Sequence, residues 1–255
     1  MRSLRIDGTS GQLRYADLCG DASPIVYLHG LGSASSYAFP EIATHPKLRE
    51  HRSILVDFLG FGYSDRPATF GYSIHDHAET AAQLLDHLGV ESAVVFGHSM
   101  GGAVALLAAG LQPDRVDRLV IAEGNLDPEP GIVSGIITRW TEAEYVANGH
   151  SRFVREMRTH GFADYARTLE AASPIAVHRT AVDLIGDRDP TFRDLLVRLS
   201  IPCTFLFGDE NLADPDVERL PQDGIPVVVV PDAGHDMMAD NPDGLAVAIA
   251  RALHG

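Results

Sequence analysis

94-VVFGHSMGGAVALLAAG-110 changes character at its centre. Val94, Val95 and Phe96 are β-branched or aromatic, the composition of a buried strand. Residues 103–109 are Ala, Val and Leu, a helix-forming run led by Ala and Leu. Between the two halves stands Ser99, flanked by Gly97, Gly101 and Gly102. Small neighbours on both sides let a strand and a helix meet within one tight turn. Gly97-His98-Ser99-Met100-Gly101 therefore fits the G-x-S-x-G nucleophile elbow, which presents a serine at the top of a sheet.

Working outward, short apolar runs recur at residues 25–28, 54–58, 93–96, 118–122, 203–207 and 227–230. Ile74, Ala78, Ala81, Ala82, Leu85 and Leu88 lie on one face of a helix between the second and third of these. Asn241-Pro242 supplies an N-cap and a proline at the first helical position, followed by Leu245, Ile249 and Leu253 at intervals of four. Residues 4–7 and 12–15 flank Gly-Thr-Ser-Gly and read as a hairpin. A hairpin followed by strand–helix alternation predicts an α/β fold: a mostly parallel sheet with helices on both faces. The alternation breaks between 125 and 200, where Phe162, Tyr165, Ala166 and Leu169 carry a helical pattern and no strand is apparent. The breaker-rich 127-DPEPG-131 leads into it. The expected division is a core of 1–124 and 201–255 with a helical insertion over 125–200.

The chain of 255 residues has 20 Lys and Arg against 35 Asp and Glu, a formal charge of −15. That balance argues against nucleic acid as a partner, since phosphate backbones are bound by Lys and Arg clusters. No apolar run approaches the ~18–20 residues of a membrane span, and no apolar leader follows the first Arg. A cytoplasmic location and no membrane partner are the expectation. Cys19 and Cys203, the only cysteines, are expected as reduced thiols.

A serine needs a base and a stabilised oxyanion before it attacks anything. 28-LHGLGSASS-36 follows another strand end, and the amides of Leu31 and Met100 are the candidate oxyanion donors. His235 follows the last strand through Pro231-Asp232-Ala233-Gly234, at the C-terminal end where parallel sheets place reacting groups. It is the candidate general base. His98 is expected to pack within the elbow, and His29 to brace the oxyanion loop. His75 and His77 diverge on a helix, and no metal-ligand spacing occurs, so no metal and no cofactor are expected.

HGLG at 29–32, DFLGFGYSD at 57–65, GHSMGG at 97–102 and DAGHDM at 232–237 together resemble the capped, esterase-like members of the α/β-hydrolase family. The resemblance spans essentially the whole chain. It implies an eight-stranded sheet whose first strand is antiparallel, and a helical cap (lid) inserted after the sixth strand. It also implies a catalytic triad and, for His235, the terminal Gly-His position. Most of the family carries the triad acid three residues past a glycine after strand seven. In 205-FLFGDENLADPD-216 that position is Asn211, whose amide cannot balance an imidazolium. Glu123, directly after the apolar strand 118–122, is the candidate replacement, as in the subset of the family with its acid after strand six. Asp209, Glu210 and Asp214 are the alternatives. Asp57 is expected to be structural. Trp140, Met237 and Met238 are candidates to line the substrate pocket.

The expected chemistry is a serine esterase or lactonase forming an acyl-enzyme on Ser99, with a small-molecule ester or lactone as its partner. C–C bond hydrolases, thioesterases and cofactor-free haloperoxidases share the serine triad and stay open, as does a non-catalytic small-molecule-binding module. Dehalogenases and epoxide hydrolases of this fold use an Asp nucleophile, which Ser99 argues against.

Overall fold

The computed structural model describes residues 1–254. Eight strands form one sheet: β1 (Arg2–Arg5), β2 (Gln12–Leu18), β3 (Ala22–Leu28), β4 (His51–Asp57), β5 (Ala93–His98), β6 (Val116–Ala122), β7 (Cys203–Gly208) and β8 (Val227–Val230). Their spatial order is β1-β2-β4-β3-β5-β6-β7-β8. This is the α/β-hydrolase fold, with one correction to the expected direction of the first strand. β2 pairs antiparallel with both β1 and β4, so β2 runs against the rest. The hairpin reverses the chain once, which leaves β1 pointing the same way as β4.

Strands β5 and β7 are buried along their whole length, as central strands covered on both faces must be. Alternate residues feed two cores. Val26, Leu28, Val56 and Val95 enter one core with the Met100–Leu111 and Ile74–His87 helices. Ile25, Tyr27, Leu55 and Phe96 enter the other with the Pro242–His254 helix. The Met100–Leu111 helix is apolar almost all round because it is buried almost all round. Ser73 and Asp76 form a capping box at the start of the Ile74–His87 helix. Asn241 Oδ1 accepts from Gly244 N at 2.8 Å and caps the last helix. Two short helices, Ser35–Ala38 and Pro40–Thr44, carry no signal long enough to find in the sequence. No helix of the described residues is long and apolar enough to cross a membrane.

Between β6 and β7 the described chain is helical: Ile132–Ile137, Glu142–Glu144, a π-helical turn at Tyr145–Gly149 running into His150–Thr159, then Ala163–Ala171, Pro174–Leu184 and Phe192–Arg198. Phe192–Arg198 packs on the Met100–Leu111 helix, so it belongs to the layer over the sheet, as the crossover into parallel β7 requires. The earlier helices are tied to the core loops at several points. Ser173 N–H donates to Gly60 O at 2.7 Å, Ile74 N–H donates to Asp183 at 2.8 Å, and the Thr180 hydroxyl donates to Tyr72 O at 2.9 Å. Arg193 bridges Asp127 and Asp216 where the segment leaves and rejoins the core.

Candidate active site

The turn after β5 is as tight as its glycines suggest. Ser99 has φ 52° and ψ −121°, a backbone conformation that strains any residue with a Cβ. A Cβ on Gly97 would lie 2.3 Å from Gly101 O, and one on Gly101 would lie 2.3 Å from Leu28 O. Strand, loop and helix therefore meet backbone to backbone around the serine. Ser99 N–H donates to Ala122 O at 2.8 Å, which fixes the turn to the end of β6.

The loop after β3 lies against the serine: a Cβ on Gly30 would sit 3.4 Å from Ser99 Cβ and 3.0 Å from His98 Nδ1. Met100 opens its helix, so its N–H has no intrahelical acceptor. Neither that amide nor the Leu31 amide has a protein acceptor among the described residues. His29 braces this loop from below. Its Nε2 accepts from Phe58 N–H at 3.2 Å, so its Nδ1 carries the proton donated to Gly30 O at 2.8 Å. Asp57 is fully buried and accepts from Ser36 N–H, Ser36 Oγ and Tyr63 N–H at 2.9, 2.7 and 3.0 Å. It holds the loops on either side of β4.

Glu123 is the first residue after β6, with φ 50°. Its side chain is 8% exposed, and Oε2 lies 3.8 Å from Nδ1 of His235, whose side chain is 52% exposed. Oε1 accepts from Gly208 N–H at 2.9 Å and from Asn211 Nδ2 at 3.1 Å. Burial alone would push the Glu123 carboxyl up. The facing His235 ring, the Asn211 amide and the Gly208 N–H outweigh it and hold the group below the usual carboxylate value. The amide at position 211 thus donates to the carboxylate that stands beside the histidine.

The Asp209 and Asp214 carboxylates are engaged elsewhere. Asp209 accepts from Asp232 N–H at 2.9 Å and Ala233 N–H at 3.1 Å, and these two bonds hold its carboxyl low. It straps the turn ahead of His235, where Asp232 has φ 50°. Asp214 accepts from Asp216 N–H at 2.8 Å, and Glu210 N–H donates to Ala233 O. His98 Nε2 donates to His235 O at 2.8 Å, and the two rings lie 4.8 Å apart. No hydrogen bond joins Ser99 Oγ to the His235 ring among the described residues. Such bonds are commonly long before substrate arrives and tighten around it.

The expected pocket residues are placed differently. Met237 is fully buried and Met238 half-buried, both packed in the core shared with Leu245 and Ile249. The short Met237–Asp240 helix packs onto the Pro242–His254 helix. The Trp140 ring covers Gly149, and its carbonyl accepts from His178 Nε2 at 2.8 Å, so it braces the inserted helices against one another. Sequence reasoning missed Tyr165 as a site residue. Its hydroxyl donates to Leu31 O at 3.0 Å, a contact across 134 residues with no local signature.

Burial holds His77 and His98 at about 3 and pushes His29 below its ordinary value. Unfolded, each would protonate near ~6.5. Between about pH 6.5 and 3 the unfolded chain therefore binds more protons, and stability falls as the pH falls through that window. For His77 and His98 together the expected loss from pH 7 to 5 is about 4 kcal/mol. Urea denaturation at the two pH values measures it, and equal stabilities would show that these rings are not buried in neutral form.

Residues 23–136 match a family model described as alpha/beta hydrolase fold. Haloalkane dehalogenase 2 of Mycobacterium bovis is 27% identical over 267 residues, covering 95% of this chain and 92% of the relative. 2-Hydroxymuconate semialdehyde hydrolase of Pseudomonas putida is 36% identical over 129 residues, 51% of this chain and 46% of that protein. A thermophilic esterase from Thermogutta terrifontis superposes with a TM-score of 0.82 at 25% identity, covering 100% of this chain and 98% of the esterase.

Proposed function

Because the chain belongs to the α/β-hydrolase fold family, we propose that it is a serine hydrolase cleaving a carboxylic ester or lactone through an acyl-enzyme on Ser99. The observation that carries this reading is the Glu123 carboxylate beside His235 Nδ1, at the end of the strand next to the serine turn. Ser99 Oγ attacks the carbonyl carbon while His235 takes the hydroxyl proton. Glu123 holds the imidazole in the tautomer that can accept it and stabilises the imidazolium. The Leu31 and Met100 amides receive the carbonyl oxygen as it becomes an oxyanion. His235 then protonates the leaving alkoxide, and water repeats the sequence on the acyl-enzyme to release a carboxylic acid. The helices between residues 125 and 190 form the cap over this site and shape the acyl pocket.

A hydroxyl nucleophile separates this reading from halide displacement. Attack by serine on an alkyl carbon would leave an ether, which water does not hydrolyse, whereas attack on an acyl carbon leaves an ester that it does.

The test is labelling with a fluorophosphonate, read by intact mass and peptide mapping, alongside turnover of p-nitrophenyl esters of two to twelve carbons and of matched lactones. One label at Ser99, absent in Ser99→Ala, together with turnover of at least one ester is the expected result. A wild-type protein that takes no label and turns over none of them overturns the reading.

A further inference from the structure

We propose that Tyr165 is a positioning residue for acylation, clamping the turn that carries Leu31 to the inserted helices and so holding that turn against Ser99. This rests on the serine-hydrolase reading above. Ser33 N–H donates to Gly30 O at 3.1 Å, closing a turn over Gly30-Leu31-Gly32-Ser33. Gly32, its third residue, has φ +76°, the signature of a type II turn. In that turn the middle peptide, which carries Leu31 O, is the unit whose rotation converts type II into type I. Tyr165 holds that oxygen at 3.0 Å.

The fit leaves little play. A Cβ on Gly32 would lie 2.7 Å from the Tyr165 hydroxyl and 2.9 Å from Leu169 Cδ1, so the Ala163–Ala171 helix closes directly on the turn. The preceding carbonyl, Gly30 O, is held by His29 Nδ1 at 2.8 Å. Both peptides that meet at Leu31 are thus pinned, the one carrying its N–H by the core and the next by the inserted helices. Burial pushes the Tyr165 hydroxyl far above its ordinary value, and Tyr145 and Asp236 push it further, so it acts as a hydrogen-bond donor and not as a base. Removing it frees the middle peptide while leaving the aromatic packing in place.

The experiment compares wild type with Tyr165→Phe on p-nitrophenyl butyrate, with fluorophosphonate labelling rate and melting temperature measured on the same preparations. kcat and labelling rate are expected to fall together by about tenfold, between the worth of one hydrogen bond and that of a whole oxyanion donor. KM is expected to stay within about threefold, because the ground-state carbonyl makes little use of the donor, and the melting temperature to stay unchanged. A KM that rises with kcat intact would mean that Tyr165 binds substrate and overturns the proposal. So would a melting temperature that falls along with activity, which marks a structural role. A wild type that labels, with Tyr165→Phe labelling as fast, refutes the positioning role alone. A wild type that never labels refutes the serine-hydrolase reading and takes this proposal with it.

Discussion

Glu123→Gln is expected to lower kcat on an activated ester by about 10⁴-fold, while Asp209→Asn and Asp214→Asn remain within about tenfold of wild type. The glutamine keeps the shape of the side chain and its position at the end of β6. Its carbonyl oxygen still accepts from Gly208 N–H and Asn211 Nδ2, as Oε1 does now. Its amide group then faces His235 Nδ1 in place of a carboxylate. That geometry puts a donor where an acceptor is needed, so the ring turns its protonated nitrogen toward the serine and cannot act as base. The imidazolium also loses the charge that stabilises it. Asp209→Asn can still accept one of the two backbone N–H groups it now straps, so its effect falls on the His235 turn and not on the ring. Steady-state kinetics of the three variants on one ester decides the matter. A loss at Asp209→Asn as large as that at Glu123→Gln would move the acid back to the loop after β7.

Gly101→Ala is expected to destabilise the protein by more than about 3 kcal/mol and to abolish activity in whatever remains folded. Its Cβ would meet Leu28 O at 2.3 Å, Leu28 C at 2.7 Å and His29 O at 2.8 Å. All three are backbone atoms of β3 and the loop after it, and no rotamer change can clear them. The Met100–Leu111 helix would have to lift off the sheet, taking the Met100 amide away from the reacting carbonyl. Gly110→Ala, in the last turn of the same helix, is the matched control. Nothing lies within 4 Å of its Cβ, and it is expected to stabilise by roughly 0.5–1 kcal/mol through lost backbone freedom in the unfolded chain. Urea denaturation of the two variants measures both signs, and similar values for the pair would refute the close-contact argument.

The parts of this molecule that the sequence made legible are those governed by neighbours along the chain. The strands between residues 25 and 230 follow from short continuous apolar runs, and the last helix from its Asn-Pro start. Ser99 and His235 stand at strand ends marked by glycines, so their placement needed no knowledge of distant contacts. Glu123 was readable as a carboxylate following a buried strand, a position that demands partners. The identity of those partners was not readable, because Gly208 and Asn211 lie 85 and 88 residues away. The sequence offered Asn211 only as a missing acid; the fold uses its amide as a donor to Glu123. The core packing of Met237 and Met238 was not readable, because four-residue helices carry no periodicity from which to read a buried face. The antiparallel first strand was an expectation from the resemblance, and the hairpin could not check it: a hairpin shows that two strands are antiparallel to each other, and not which of them opposes the remaining six.

Ser99, Glu123 and Asp232 each turn the chain through left-handed backbone while carrying a side chain, at a cost of order 1–3 kcal/mol apiece. For anyone seeking a heat-resistant variant, these are the obvious residues to relax. Glycine at the first two would remove the hydroxyl and the carboxylate that give the site its proposed chemistry. Asp232 differs, since its backbone N–H is what Asp209 grips, and a glycine supplies the same N–H. The ceiling on thermal endurance and the source of reactivity therefore coincide at Ser99 and Glu123, and directed evolution toward durability is left with Asp232 and with Tyr72, the fourth residue of this kind.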